Sequence, residues 1–152
     1  MSGYDRNLNI KVFRHAGAHT DYGMWTLLKT DRVPGLQIMS LKGEWVDVPY
    51  LDGAFIVNLG DMLQFWTSGL LRSTIHRVVN HEGRERYSIP FFYEPNYDTV
   101  IKTLPSEVVQ SYMKEQGIEP EVSSVTSGEW LLNKYKQTHE DIGKHFTETP
   151  KK

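Results

Sequence analysis

Through residue 104, apolar and polar positions alternate in short runs rich in β-branched and aromatic residues. Glycine, proline, asparagine or aspartate breaks these runs at close spacing, as at Pro34-Gly35, Lys42-Gly43, Asp52-Gly53, Asn58-Leu59-Gly60-Asp61 and Ser68-Gly69. A period of two bounded by turn residues is the signature of half-buried strands, and many such strands in succession imply a sandwich, barrel or jelly roll. The pattern predicts strands at 8–13, 25–29, 36–40, 45–48, 54–59, 74–79, 86–92 and 99–102.

The period changes beyond Pro105. Ser106 can cap a helix with Val109, Tyr112 and Met113 on one face, and Gly117 can stop it. Pro120 and the Ser/Thr-rich stretch 123–127 read as a connector, followed by a helix over 129–141 with Trp130, Leu131 and Tyr135 as its apolar side. Gly143 ends that helix, and the tail from Thr147 to Lys152 reads as frayed. The expected organisation is a β core over 1–104 and a helical segment over 105–152 that packs on it.

Composition narrows the function. The 152 residues suit one hydrophobic core, and a net charge of −2 gives no basic stripe for nucleic acid or an anionic membrane. With no cysteine, a disulfide framework, a zinc ribbon, an iron–sulfur site and a thiol nucleophile are all excluded. No apolar stretch follows a basic head at the N-terminus, so a cytoplasmic protein is expected.

The chemistry concentrates in His19-Thr20-Asp21. In an extended chain the side chains of i and i+2 point the same way, so His19 and Asp21 can grip one ion. His76 lies in a second extended run, Ser73 to Val78, and would complete a set of two histidines and one carboxylate if the two runs are neighbours. Such a facial triad leaves coordination positions open, as non-haem iron(II) requires. The competing readings are an exposed turn for the first pair and a hydrogen-bonded core residue for His76. Ten residues on, Arg86 and Ser88 share one face of the next run. An arginine aimed into a barrel is costly unless it meets an anion, and its planar fork suits a carboxylate. A structural ion pair with a neighbouring acid is the alternative. Asn58, Gly60 and Asp61 read as turn chemistry, and Trp25, Trp45, Trp66 and Phe55 as core. His15, His81, His139 and His145 read as solvated, with His15 nearest the triad.

Six stretches, AHTDYGMWTLL (18–28), PGLQI (34–38), WVDVP (45–49), FIVNLGDMLQFWTSG (55–69), RSTIHRVV (72–79) and RYSIPFFYEPN (86–96), carry a resemblance. In this order they resemble the iron(II)- and 2-oxoglutarate-dependent oxygenases of the isopenicillin N synthase-like superfamily. The resemblance implies a mainly β fold, a double-stranded β-helix or jelly roll with C-terminal helices. It implies His19, Asp21 and His76 as Fe(II) ligands, and Arg86 and Ser88 as receptors for the distal carboxylate of 2-oxoglutarate. Val78 and Phe92, on the inward faces, are candidates for the substrate pocket or for core packing. The implied activity is a dioxygenase that hydroxylates or desaturates a small organic substrate and releases succinate and carbon dioxide.

Two departures from the family's pattern are visible. Family members carry a helical region ahead of the β-helix, whereas this chain starts almost at the first core strand. The expectation is a fragment of a larger oxygenase with an apolar sheet face exposed. The stretch 13–19 reads as a shortened loop, and Phe13 stands where the family has a tyrosine that helps hold 2-oxoglutarate. A truncated, non-catalytic scaffold and a cupin-like metal protein therefore stand beside the oxygenase reading, although the cupin-like reading leaves Arg86 and Ser88 unexplained.

Overall fold

Strands of alternating polarity pair antiparallel in the computed structural model, which describes residues 2–4, 11–80, 83–120 and 124–138, with the backbone alone at 2–4 and 11–16. One sheet has the order β1 (Ser2–Tyr4), β2 (Lys11–His19), β7 (His76–Asn80), β4 (Leu36–Met39) and β5 (Trp45–Asp47). A second has the order β6 (Ile56–Leu59), β3 (Trp25–Thr30) and β8 (Ser88–Tyr93). A short pair joins β9 (Val100–Ile101) to β10 (Val125–Thr126). Between β2 and β8 the chain crosses repeatedly from one main sheet to the other, with only β4 and β5 consecutive in the same sheet. This winding is the double-stranded β-helix, a jelly roll, that the family resemblance implies.

Three helices complete the description: α1 (Asp61–Trp66), α2 (Glu107–Gln116) and α3 (Ser127–Thr138). Val109 and Met113, one turn apart on α2, are both buried, and Gly117 closes the helix in the left-handed region at φ 65°. The start of α3 is a capping box. The Glu129 carboxylate accepts from the backbone N–H and hydroxyl of Thr126, and Thr126 Oγ1 accepts from the Glu129 N–H. Among the described residues, no helix is long and apolar enough to cross a membrane.

The core is small. Met24, Met62, Leu63 and Ile101 are buried together, and Trp25, Leu59, Phe65, Trp66, Trp130 and Leu131 pack against them. It therefore lies where α1 and α3 meet the end of the β3–β6 pair, directly behind the segment that follows β2. By contrast, Val57, Ile89, Phe91 and Tyr93 are exposed on one face of the three-stranded sheet.

The structure corrects several expectations. Helix α1 falls where the sequence pattern shows only a turn, because six residues are too few to display a helical period. The stretch 13–19 is not a loop; β2 runs through it, with irregular register against β7 between Arg14 and Ala16 and between Ala16 and His19. Phe55 is 61% exposed rather than core, with the Lys29 ammonium 5.5 Å from its ring centroid. Trp45 is half-buried beneath the Arg77 guanidinium, 3.9 Å away. Residues 8–10, His81, His139, His145, Gly143 and the 147–152 tail lie outside the described residues, as do the side chains of Phe13 and His15.

Candidate functional site

His19 ends β2 and His76 begins β7, and register makes them direct cross-strand partners. Their ring centroids lie 4.3 Å apart. The Nδ1 of His19 is 2.7 Å from the Gly17 carbonyl, and that of His76 is 3.1 Å from the Thr74 carbonyl. A carbonyl can only accept, so each Nδ1 carries the proton and each Nε2 presents a lone pair. Both lone pairs face Asp21 Oδ1, at 3.7 Å from His19 Nε2 and 3.6 Å from His76 Nε2. One ligand atom from each residue falls within 4.8 Å of the others.

Asp21 does not reach this point by the strand alternation expected of it. Strand β2 stops at His19, and Asp21 sits at the entrance to a bend over 22–24. That bend is held by its surroundings. Gly60 N–H donates to the Met24 carbonyl at 2.8 Å, Asp61 N–H to the Asp21 carbonyl at 2.8 Å, and Met62 N–H to the Gly23 carbonyl at 3.1 Å. The unpaired amides at the start of α1 thus find their acceptors in the bend. The contact needs glycine at 60, since a Cβ there would overlap the Gly23 carbonyl. From α3, Trp130 Nε1 donates to the Tyr22 carbonyl at 2.7 Å. From the end of β8, Glu94 accepts the Met24 N–H at 3.2 Å.

The two oxygens of the Asp21 carboxylate have different partners. Oδ2 accepts from the Thr26 hydroxyl and, at 2.7 Å, from Asn58 Nδ2. Thr26 and Asn58 are themselves cross-strand partners on β3 and β6. Oδ1 has no hydrogen-bond donor among the described residues and is left to the two imidazoles. An orienting pair behind one oxygen and a free second oxygen is how a carboxylate ligand is held for a metal. The donor set is two imidazole nitrogens and one carboxylate oxygen, each supported from behind. It fits a divalent ion roughly 2 Å from each ligand and leaves other positions open. Asn58, read from sequence as turn chemistry, is therefore a strand residue of this support. Its signal was a polar side chain inside the apolar run Phe55 to Leu59. Replacing Asn58 by alanine is expected to lower metal affinity by about tenfold to a hundredfold. Mn(II) titration followed by electron paramagnetic resonance measures this, with the far-ultraviolet dichroism unchanged.

Arg86 and Ser88 lie further along the roll. Strand β8 begins at Ser88, so Arg86 precedes the strand instead of opening it, which corrects the predicted start at 86. Register pairs Ser88 with Thr30, Pro90 with Leu28 and Phe92 with Thr26. Thr26 points to Asp21, so Ser88 and Phe92 share the triad's face of the sheet. Arg86 Nη1 donates to Ser88 Oγ at 3.2 Å, while its buried Nε has no partner among the described residues. Burial lowers the pKa of the guanidinium, and the charge of Asp31 opposes that shift. Asp31 does not close an ion pair, because its two oxygens accept the Val33 and Tyr87 N–H groups, at 3.0 and 2.6 Å. The stem of Arg86 lies beside Gly35, which stands at φ 144° and would, with a Cβ, crowd the Val79 carbonyl. A partly buried cation with an unused donor fits an anion that is not part of the chain.

A cavity of about 320 Å³ opens beside the triad, lined by His19, Thr20, Asp21, Tyr22, Gly23, Phe92, Glu94, Leu131 and Tyr135. Phe92 is where a pocket residue is expected. Val78 is not on this wall; it shares the β7 face of His76 and pairs with Ala16 and Leu36, which leaves it to packing. Glu94 has its pKa raised, first by burial and also by the charge of Asp21, against the lowering effect of the Met24 N–H.

Known proteins are similar to this chain in sequence and in fold. The 2-oxoglutarate-Fe(II) type oxidoreductase hxnY of Emericella nidulans is 42% identical over 130 residues, which are 85% of this chain and 36% of that protein. Homoarginine-6-hydroxylase 2-ODD-C23 of Glycine max is 48% identical over 89 residues, 58% of this chain and 27% of its own. Among solved structures, a full-length Neurospora crassa protein in complex with alpha-KG superposes with a TM-score of 0.69 at 32% identity, covering 83% of this chain and 38% of that one. The chain thus spans about a third of the length of the relatives it matches. Residues 7–95, which include His19, Asp21, His76, Arg86 and Ser88, match the family model of the 2OG-Fe(II) oxygenase superfamily, and the chain belongs to that family.

Proposed function

We propose that His19, Asp21 and His76 hold Fe(II), that Arg86 and Ser88 receive 2-oxoglutarate, and that the protein is a dioxygenase oxidising a small organic substrate. The observation that carries this reading is the division of labour at Asp21: one oxygen fixed by Thr26 and Asn58, the other turned to two imidazoles whose free lone pairs converge on it. Bound there, Fe(II) would supply the redox chemistry that couples oxidative decarboxylation of 2-oxoglutarate to oxidation of the substrate by dioxygen.

The chain's own residues supply position. The Gly17 and Thr74 carbonyls keep the imidazoles in one tautomer and orientation. The guanidinium of Arg86 and the hydroxyl of Ser88 would hold the distal carboxylate of the cosubstrate. Phe92, Leu131 and Tyr135 form an apolar wall that limits water beside the metal. Residues 1–104 would form the catalytic core, and 105–152 a segment that closes over it through Trp130. The modest net charge and the absence of a basic stripe support a cytoplasmic enzyme with neither nucleic acid nor membrane as partner.

Anaerobic titration with Fe(II) and 2-oxoglutarate tests the proposal. The expected result is one equivalent of each, with the metal-to-ligand absorption band of the chelate, followed by succinate release on admitting air. A folded chain that binds neither would leave only a scaffold of the same family.

A further inference from the structure

Resting on that reading, we infer that the cavity beside the triad selects substrates carrying a cationic group, an ammonium or guanidinium on a short aliphatic stem, and that Glu94 reads the charge. Among the described residues the lining contains two carboxylates, Asp21 and Glu94, and neither lysine nor arginine. A divalent ion on the triad carries two charges, of which Asp21 would offset one and a carboxylate of bound 2-oxoglutarate the other, leaving the charge of Glu94 uncompensated. Glu94 is half-buried and takes one hydrogen bond, the Met24 N–H, with no cationic side chain paired to it among the described residues. Its carboxylate is seated against the bend, where a Cβ on Gly23 would overlap it, so its direction is set by backbone rather than by a mobile neighbour.

The energetics point the same way. Burial disfavours the charged form of Glu94, and the Met24 N–H only partly opposes it. A cation in the cavity would offset that cost, whereas a neutral substrate would displace water and leave the carboxylate without a charged partner. The remaining wall suits the rest of such a ligand. Tyr22 and Tyr135 meet edge to face, with centroids 5.6 Å apart, and Phe92 lines the same cavity. Aromatic faces attract a cation and accommodate the methylenes that carry it. The cavity volume, about 320 Å³, is that of a small-molecule site.

A purely structural Glu94 would serve only as acceptor for Met24. Glu94→Gln separates the two roles, because the amide oxygen still accepts that N–H while the charge is gone. Calorimetric titrations of the chain loaded with Mn(II) and 2-oxoglutarate would compare n-butylguanidinium with its neutral isostere n-butylurea. Wild type is expected to bind the guanidinium at least about tenfold tighter, and E94Q to lose that preference while keeping its affinity for the urea. Equal affinities in wild type, or a preference that survives E94Q, would overturn the inference. Should E94Q fail to fold by circular dichroism, the wild-type preference still decides, and Tyr135→Leu should weaken guanidinium more than urea. If the chain takes up neither Mn(II) nor 2-oxoglutarate, the dioxygenase reading fails on its own, and the same probes titrated without them still read the charge preference.

Discussion

Replacing His76 by alanine is expected to lower divalent-metal affinity by more than about a hundredfold and to abolish 2-oxoglutarate-dependent succinate release. The size of the effect follows from the geometry. His76 is the more enclosed of the two imidazoles, with its side chain 13% exposed against 44% for His19. It is also flanked by both β2 and β4, where register pairs it with His19 and Ile38. No other histidine among the described residues stands near enough to replace it in the cluster. Removing a second-sphere partner loosens a ligand; removing the ligand leaves two donors, one of them the more exposed His19. Mn(II) binding by electron paramagnetic resonance and succinate by chromatography are the two readouts. The variant should fold, because the Nδ1 contact to Thr74 is local and the strand pairing is made by backbone. A variant that keeps wild-type metal affinity would remove His76 from the site.

How much of this site is legible in the sequence depends on the element that carries each residue. His19 and His76 lie at strand ends and were legible as candidates, but their meeting depends on the register of β2 against β7, which no local alternation reports. Asp21 joins the cluster with His19 and His76, but not by the strand alternation expected of it. Its position depends on the bend over 22–24, and the bend depends on amides of α1, an indole of α3 and a carboxylate at the end of β8. Those groups are distant along the chain, 70 residues for Glu94 and Met24 and 108 for Trp130 and Tyr22, and no local period reports them. Asn58 and Gly60 were visible as a turn signal, yet one is a strand residue bonded to Asp21 and the other permits a backbone contact that no side chain would allow. Short helices show the same limit: α1 is less than two turns long, while α2, with a full apolar face and a glycine stop, could be read directly. The mainly β class was legible because the strands are short, amphipathic and separated by turn residues, while the choice of jelly roll over sandwich or barrel came from the family resemblance. The order of strands within each sheet was not legible, since it is set by pairings distant in sequence such as β2 with β7 and β3 with β8.

Arg86 carries the second large expected effect: substitution by alanine should weaken 2-oxoglutarate binding at least about thirtyfold while leaving metal affinity within about twofold. The two halves of this expectation come from separate observations. Arg86 has a buried Nε with no partner among the described residues and bonds Ser88 through Nη1, so its hydrogen-bonding capacity is directed at something outside the chain. Burial already costs the guanidinium part of its charge stability, and Asp31, whose oxygens are committed to backbone amides, gives back only a distant attraction. A bound carboxylate would supply the missing partner, and truncating one side of such a pair typically costs about 2–5 kcal/mol. The triad, in contrast, is oriented by Gly17, Thr74, Thr26 and Asn58, none of which is hydrogen-bonded to Arg86. Arg86→Lys refines the reading: it keeps the charge but loses the planar fork and the bond geometry to Ser88, so an intermediate affinity is expected. Calorimetry of 2-oxoglutarate against the Mn(II)-loaded variants measures all three values. If R86A binds 2-oxoglutarate as tightly as wild type, the carboxylate receptor lies elsewhere, and the unused donor of Arg86 belongs to some other anion.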